Sequence, residues 1–172
     1  MTQEQKVRSG LWFLIVSVIA IIIDLFSKLW IVNNIEAYSL ESSIEVISNF
    51  FRIVHVHNNG AAFSFLAEHS GWQKWMFASF AVFVSLVLMV LMHKTPAAKW
   101  FTNLSYSLII GGAIGNLIDR VMYGYVIDFL DFYLVYDKAE HHYPAFNIAD
   151  CVICVGVAMA IICQIFTPSK KN

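Results

Sequence analysis

Four long apolar runs are the feature of this 172-residue sequence that most restricts its fold. They cover residues 11–32, 75–92, 100–118 and 148–166. A helix needs roughly 20 residues to cross the hydrocarbon core of a bilayer, and each run is long enough when some tilt is allowed. Only helices and closed barrels satisfy their backbone hydrogen bonds in that core, and runs this long without alternation are typical of helices. The sequence therefore predicts an all-α integral membrane protein with four transmembrane helices.

Composition favours a single membrane domain over residues 1–172. Hydrophobic residues make up 59% of the chain and charged residues 13%, whereas soluble domains have about half and about a quarter. A soluble protein of this size could not bury so much apolar surface. The formal net charge of −1 says nothing useful about partners, but the chain has no basic patch suited to nucleic acid. We expect a monomer surrounded by membrane lipid.

The first run has the position of a secretory signal, because Lys6 and Arg8 precede it. Its apolar stretch is too long for a signal peptide, it contains Asp24 and Lys28, and no small-x-small cleavage pattern follows it. We therefore interpret it as the first transmembrane helix.

The distribution of Lys and Arg in the flanking segments predicts the orientation of the helices. The two long loops, 33–74 and 119–147, hold nine acidic residues against four basic ones. The two tails and the short link between the second and third runs carry basic residues, namely Lys6, Arg8, Lys94, Lys99, Lys170 and Lys171. Both termini should therefore be cytoplasmic, and the two long loops should face outward.

One of these loops contains a strand signal. Residues 46–66 are rich in β-branched and aromatic residues, and the Asn58–Gly60 segment (NNG) between two strand-like pieces is a turn signal. We expect a small hairpin or curved sheet at the outer membrane surface. Residues 120–147 look irregular, with Gly124 and Pro144 as breaks.

Asp24 and Lys28 lie four residues apart on one face of the first helix, in the order of acid and base that favours pairing. At 1.5 Å per residue, Asp24 lies about 20 Å from the cytoplasmic start of the helix, in the outer third of the bilayer. A charge there costs at least ~3 kcal/mol. Two interpretations stay open. The pair is a salt bridge with Lys28 reaching toward the surface, or it faces the bundle interior and frames a site on the outer side.

The third run ends in GGAIGNLIDR (111–120). Gly111 and Gly115 form a GxxxG pattern, which lets helices approach closely. Asn116, Asp119 and Arg120 share a face and emerge at the outer boundary, level with the acid-base pair of the first helix. They indicate either part of a site or a solvated helix end with an Asp-Arg pair.

Two further segments place acids at the same level. Asp128 lies among aromatic and aliphatic residues, and burial there would raise its pKa. Asp131 follows three residues later and competes for the same role. At the start of the fourth run, Asn147 is a candidate N-cap with Asp150 at the third helical position, where the helix dipole favours an acid.

Several aspartates at one end of a small bundle favour chemistry as well as capping. Two neighbouring carboxyl groups share a proton, so one can activate water as a base while the other donates to the developing oxyanion. This is the arrangement of aspartic proteases, and it needs no metal and no cofactor. The residues alone leave open which two acids form the pair, since Asp119 and Asp131 are eligible beside Asp128 and Asp150.

Other chemistries fit the sequence less well. His55, His57, His141 and His142 lack a compact metal-ligand spacing and favour surface or packing roles. Cys151 and Cys154 form a CxxC that a membrane thiol oxidoreductase would use, and with Cys163 they lie in one apolar stretch that implies no disulfide framework. Ser27 points away from Lys28 on the helix, so no Ser-Lys dyad is indicated. A small transporter would place polar residues through the full membrane thickness, whereas here they cluster at one side.

Five motifs, in this order on a four-helix frame, closely resemble the lipoprotein signal peptidase family, also called type II signal peptidases. They span nearly the whole chain and are DLFSK (24–28), NNGAAFSF (58–65), GGAIGNLIDR (111–120), VIDF (126–129) and PAFNIAD (144–150). The Cys151–Cys154 pair is not part of the family pattern.

The resemblance implies a bacterial inner-membrane aspartic protease that cuts prolipoproteins just before a cysteine bearing a diacylglyceryl group. It implies an outer-side β-cradle, consistent with the strand signal in 46–66. It also implies that Asp128 and Asp150 are the catalytic pair. The other motif positions would shape the site or position the substrate, and they are Asp24, Lys28, Asn58, Gly60, Asn116, Asp119, Arg120 and Asn147.

Overall fold

Four long helices form the body of the molecule in the computed structural model, which describes residues 9–60 and 72–166. A 3₁₀ turn at Gly10–Phe13 leads into α1 (Leu14–Asn34), and the other helices are α2 (Trp72–Lys94), α3 (Trp100–Met122) and α4 (Ile148–Phe166). All four are long and apolar enough to cross a membrane. The four predicted helices are confirmed, with α2 extending beyond both predicted ends and α3 four residues beyond its predicted end.

The third helix lies at the centre of the bundle. It packs against each of the other three helices. In its most apolar stretch 44% of the residues are buried, compared with 11–28% in the other helices. A Cβ added at Gly111 would lie 2.9 Å from the Cβ of Ala20 in α1. A Cβ at Gly115 would lie 2.7 Å from Oδ2 of Asp24. The close helix approach predicted from the GxxxG pattern is therefore confirmed.

A four-stranded antiparallel sheet lies at one end of the bundle among the described residues. Its strands, in spatial order, are β1 (Ile44–Ile47), β2 (Phe51–Asn58), β3 (Val126–Tyr136) and β4 (Ala139–His142). Ile127 and Phe129 of β3 pack against Ile31 and Ile35 at the end of α1. This contact fixes the sheet where α1 and α3 end and α4 begins, which we call the sheet end of the bundle.

The strand prediction for residues 46–66 is partly confirmed. Strand β2 lies there, but its hairpin partner β1 precedes it, through a turn at 48–50. The Asn58–Gly60 segment lies at the end of β2, and the second predicted piece, 61–66, lies outside the described residues.

The prediction that residues 120–147 are irregular is wrong. Strand β3 runs for 11 residues through this segment and pairs with β2 on one side and β4 on the other. Its sequence is rich in aromatic and β-branched residues, which favour strands. The interspersed aspartates obscured that pattern, and the partner strand β2 lies far earlier in the chain, 81 positions in the pairing of Phe51 with Phe132.

Candidate active site

Lys28 is buried within a polar network at the sheet end of the bundle. It is 1% exposed, and its Nζ lies 2.8 Å from Oδ2 of Asp24 and 2.9 Å from Oδ2 of Asp119. It also donates to Oδ1 of Asn116 at 3.0 Å. The structure therefore places the pair predicted on α1 toward the bundle interior, and Lys28 does not reach toward the surface.

Asp119 and Asn116 connect α3 to its neighbours. Oδ2 of Asp119 accepts the backbone N–H of Ile127 at 3.1 Å, which fixes the start of β3. Asn116 donates through Nδ2 to Oδ1 of Asp150 at 2.8 Å. The interpretation of a solvated Asp-Arg pair is wrong, because Asp119 is 1% exposed and forms its ion pair with Lys28.

Asn147 and Asp150 cap the start of α4 reciprocally. The backbone N–H of Asp150 donates to Oδ1 of Asn147 at 3.0 Å, and the backbone N–H of Asn147 donates to Oδ2 of Asp150 at 3.2 Å. This capping box confirms the predicted N-cap. Oδ1 of Asp24 accepts the next free donor, the N–H of Ala149, at 2.9 Å. A buried side chain of α1 thus also orients the first turn of α4.

Asp128 faces this helix start from β3. It is 2% exposed, its Oδ2 accepts a hydrogen bond from Nδ2 of Asn58 at 2.8 Å, and its Oδ1 accepts one from Nδ2 of Asn147 at 2.7 Å. Burial raises the pKa of Asp128 to about 7, opposed mainly by the hydrogen bond from Asn58 and reinforced by the charge of Asp150. A carboxyl group with that pKa can hold or release a proton near neutral pH.

Asn147 joins the two acids. Its side-chain amide donates to Asp128 and its backbone N–H donates to Asp150. The side-chain amide of Asn147 also reaches Oδ1 of Asn116 at 3.1 Å. Two carboxyl groups brought together by one shared donor residue, in a mostly buried setting, form an arrangement suited to sharing a proton.

Asp131 is directed elsewhere. Its Oδ2 lies 2.8 Å from Nε of Arg52, and its Oδ1 lies 2.9 Å from Nδ1 of His142. These residues also border a cleft of about 430 Å³, which is lined by neither Asp128 nor Asp150. An ion-paired role in the sheet therefore accounts for Asp131.

Gly60 and Arg120 complete the set predicted from the motifs. Gly60 has φ +94°, a conformation that favours glycine, and its N–H donates to Oδ1 of Asn58 at 2.8 Å. Arg120 donates to the backbone oxygen of Asn116 at 3.1 Å, and its Cζ lies 5.1 Å from the ring centre of Phe77. Sequence reasoning missed Phe77, because one aromatic residue in an apolar helix carries no signal of its own.

The other residues considered for chemistry are histidines and cysteines, and Cys151 directly follows Asp150. His55 is buried, its Nδ1 lies 2.8 Å from the backbone oxygen of Ile35, and its ring contacts that of His57. All three cysteines are free thiols. Within residues 9–60 and 72–166, no group of three or more His, Cys, Asp or Glu side chains is placed to hold a metal ion.

Comparison with known proteins relates the whole chain to one family. A family model described as signal peptidase (SPase) II matches residues 16–166. A lipoprotein signal peptidase of Photorhabdus laumondii is 45% identical over 95% of this chain and 93% of its own length. One of Yersinia enterocolitica is 45% identical over 95% of this chain and 92% of its own length.

Solved structures agree with the sequence relatives. One bacterial membrane enzyme structure superposes with a TM-score of 0.76 and 32% identity, covering 93% of this chain and 91% of its own. A second superposes with a TM-score of 0.76 and 30% identity, covering 91% of this chain and 94% of its own.

Proposed function

The chain belongs to the signal peptidase II family, and we propose that it is an aspartic endopeptidase in which Asp128 and Asp150 activate water. Its family makes it a multi-pass bacterial membrane peptidase that removes signal peptides from lipoproteins. The finer proposal is cleavage of diacylglyceryl-modified prolipoproteins just before the lipidated cysteine. The observation that carries the catalytic assignment is the shared donor Asn147, which hydrogen-bonds to both carboxyl groups.

Asp128 and Asp150 each accept two N–H groups, so it is the helix position that favours a negative charge on Asp150. It accepts N–H groups from Asn116 and Asn147, and it lies in the first turn of α4, where the helix dipole stabilises an anion. Asn116 is itself polarised by the ammonium of Lys28. Asp128 lies off the helix, and burial raises its pKa to about 7. We therefore assign the resting proton to Asp128 and the negative charge to Asp150.

This assignment gives each carboxyl group one role in a balanced reaction. Asp150 takes a proton from water, whose oxygen attacks the scissile carbonyl carbon while Asp128 gives its proton to the carbonyl oxygen. The tetrahedral gem-diol then collapses. Asp150 gives its proton to the leaving amine, and Asp128 recovers a proton from the diol hydroxyl. The products are a signal peptide with a free carboxyl group and a lipidated cysteine with a free amine.

The remaining motif residues hold the pair in place. Asp24, Lys28 and Asp119 form a buried ion-pair cluster next to it. Asn116 and Asn147 link that cluster to the two acids through hydrogen bonds. Preorganised partners of this kind hold catalytic groups at the required geometry without reorganisation during the reaction.

The distribution of basic residues supports cytoplasmic termini and a sheet end that faces outward in the inner membrane. The site would then lie at the level of the outer leaflet. A substrate that is itself anchored in the membrane would reach it by diffusion in the bilayer plane, and its acyl chains could stay in lipid during cleavage. We expect a monomer to be sufficient.

The test compares purified wild type, Asp128→Asn and Asp150→Asn on a diacylated prolipoprotein in detergent or nanodiscs. Each variant should lose roughly 10³-fold or more in kcat, because the two acids act as a unit. Asp131→Asn is the matched control, since this acid lies on the same strand but pairs with Arg52, and it should retain kcat. Wild-type cleavage by either folded dyad variant would show that the dyad is assigned wrongly.

A further inference from the structure

The guanidinium of Arg120 is held near the dyad by a backbone oxygen and an aromatic ring. Nη1 donates to the backbone oxygen of Asn116 at 3.1 Å. Within the described part of the chain, no carboxylate forms an ion pair with this side chain. Asp150 and Asp128 are nevertheless near enough for a negative charge on either of them to act on it. A guanidinium has five N–H donors, and among the described residues one hydrogen bond, to the backbone oxygen of Asn116, engages it.

The aromatic ring of Phe77 on α2 is the second contact that fixes this guanidinium. Cζ of Arg120 lies 5.1 Å from the ring centre, within the roughly 6 Å range of a cation–π interaction. An aromatic face attracts a cation without supplying a compensating charge. An ion pair with Asp150 would instead stabilise its carboxylate and make it a weaker base toward water.

The same ring also contacts the turn that carries Asn58. A Cβ added at Gly60 would lie 2.9 Å from Cε2 of Phe77, so the Gly60 backbone packs directly on the ring edge. The N–H of Gly60 donates to Asn58, which in turn donates to Asp128. The apolar side chain of Phe77 thus contacts two polar parts of the site, Arg120 and the turn that carries Asn58.

We propose that Phe77 is a positioning residue of this active site, which holds Arg120 beside the dyad so that its remaining N–H groups meet a carbonyl oxygen of the substrate. This inference rests on the proposed function. Phe77 acts through Arg120 and touches no reacting atom. Its loss therefore lowers the rate only while the arginine is present.

A double-mutant cycle on prolipoprotein cleavage tests this dependence. Phe77→Leu should lower kcat/KM by about 5- to 30-fold, the range that corresponds to a partly desolvated cation–π contact, and Phe77→Tyr should recover most of the loss. In an Arg120→Gln background, Phe77→Leu should change kcat/KM by less than about twofold. Phe80→Leu and Phe83→Leu, which alter residues 65% and 64% exposed on the same helix, should leave kcat/KM unchanged.

Equal losses in both backgrounds would show that Phe77 only fills space, and a wild-type rate for Phe77→Leu would overturn the proposal outright. Phe77→Met replaces the leucine variant if the latter does not fold. Wild-type protein that fails to cleave prolipoprotein would instead overturn the proposed function. In that case NMR tests the contact between Phe77 and Arg120 directly. Phe77→Leu should abolish a ring-current shift of the Arg120 Nε–H resonance, and an unchanged resonance would contradict the contact.

Discussion

Replacing Asn58 with alanine should move the high-pH limit of activity upward. The amide of Asn58 donates to Oδ2 of Asp128 at 2.8 Å and is the largest influence opposing the raised pKa of about 7. A hydrogen bond to a charged group contributes about 1.5–3 kcal/mol, and one pKa unit corresponds to about 1.4 kcal/mol. Losing the donor destabilises the carboxylate, so the pKa should rise by roughly one to two units.

The direction of the shift depends on the role of Asp128. If it must carry the proton, cleavage is lost as pH rises through its pKa, and Asn58→Ala should stay active to higher pH than wild type. If it were the base, the low-pH limit would move upward instead. The profile of kcat/KM against pH reports the ionisations of the free enzyme and separates the two cases.

Two further variants sharpen this measurement. Asn58→Asp keeps an acceptor for the N–H of Gly60 and adds a negative charge beside Asp128, so it should raise the high-pH limit at least as far as alanine does. Asn59→Ala changes an exposed neighbour and should leave the limit in place. Because Asn58→Ala also removes the Gly60 contact, a lower maximal rate is expected, and the position of the limit is the quantity compared. An unmoved limit, or one displaced downward, refutes the reasoning.

Three other changes test the supporting structure. Lys28→Met leaves two buried carboxylates unpaired and should lower the free energy of unfolding by about 3–5 kcal/mol, measured by thermal unfolding in detergent. An unchanged melting temperature would contradict a stabilising role of the buried ion-pair cluster. Gly115→Ala places a Cβ 2.7 Å from Oδ2 of Asp24. We expect the free energy of unfolding to fall by about 1–3 kcal/mol from overpacking, and cleavage to be reduced. Wild-type stability and rate would show that the Asp24 carboxylate moves aside without cost. Replacing Cys151 and Cys154 together with alanine should leave cleavage unchanged, and a loss of activity restored by reductant or oxidant would favour the thiol oxidoreductase alternative.

Local patterns were sufficient to predict the helices and the N-cap of α4. Hydrophobic length fixed four membrane-spanning segments, because the bilayer thickness sets the helix length. The spacing of Asn147 and Asp150 predicted a cap, and the structure contains it. Four-residue spacing placed Asp24 and Lys28 on one face, and their contact is confirmed at 2.8 Å. Each of these features depends on residues within about one helical turn of each other or within one continuous run.

The sheet could not be predicted in the same way. Strand β3 was hidden in a segment that looked irregular, because its pattern becomes meaningful only beside β2, with Val56 opposite Asp128. Strand register also decides which acid faces which partner. Asp128 and Asp131 lie three residues apart on β3, so they point to opposite faces of the sheet.

The sequence by itself determined that several acids gather at one end of a four-helix membrane bundle, because helix length and position along the chain are local properties. Only the tertiary structure decided which partner each of those acids contacts. Lys28 forms ion pairs with Asp24 and Asp119 on two helices, Arg52 and His142 contact Asp131, and Asn147 hydrogen-bonds to both Asp128 and Asp150. These pairings link residues up to 91 positions apart, which no local pattern specifies.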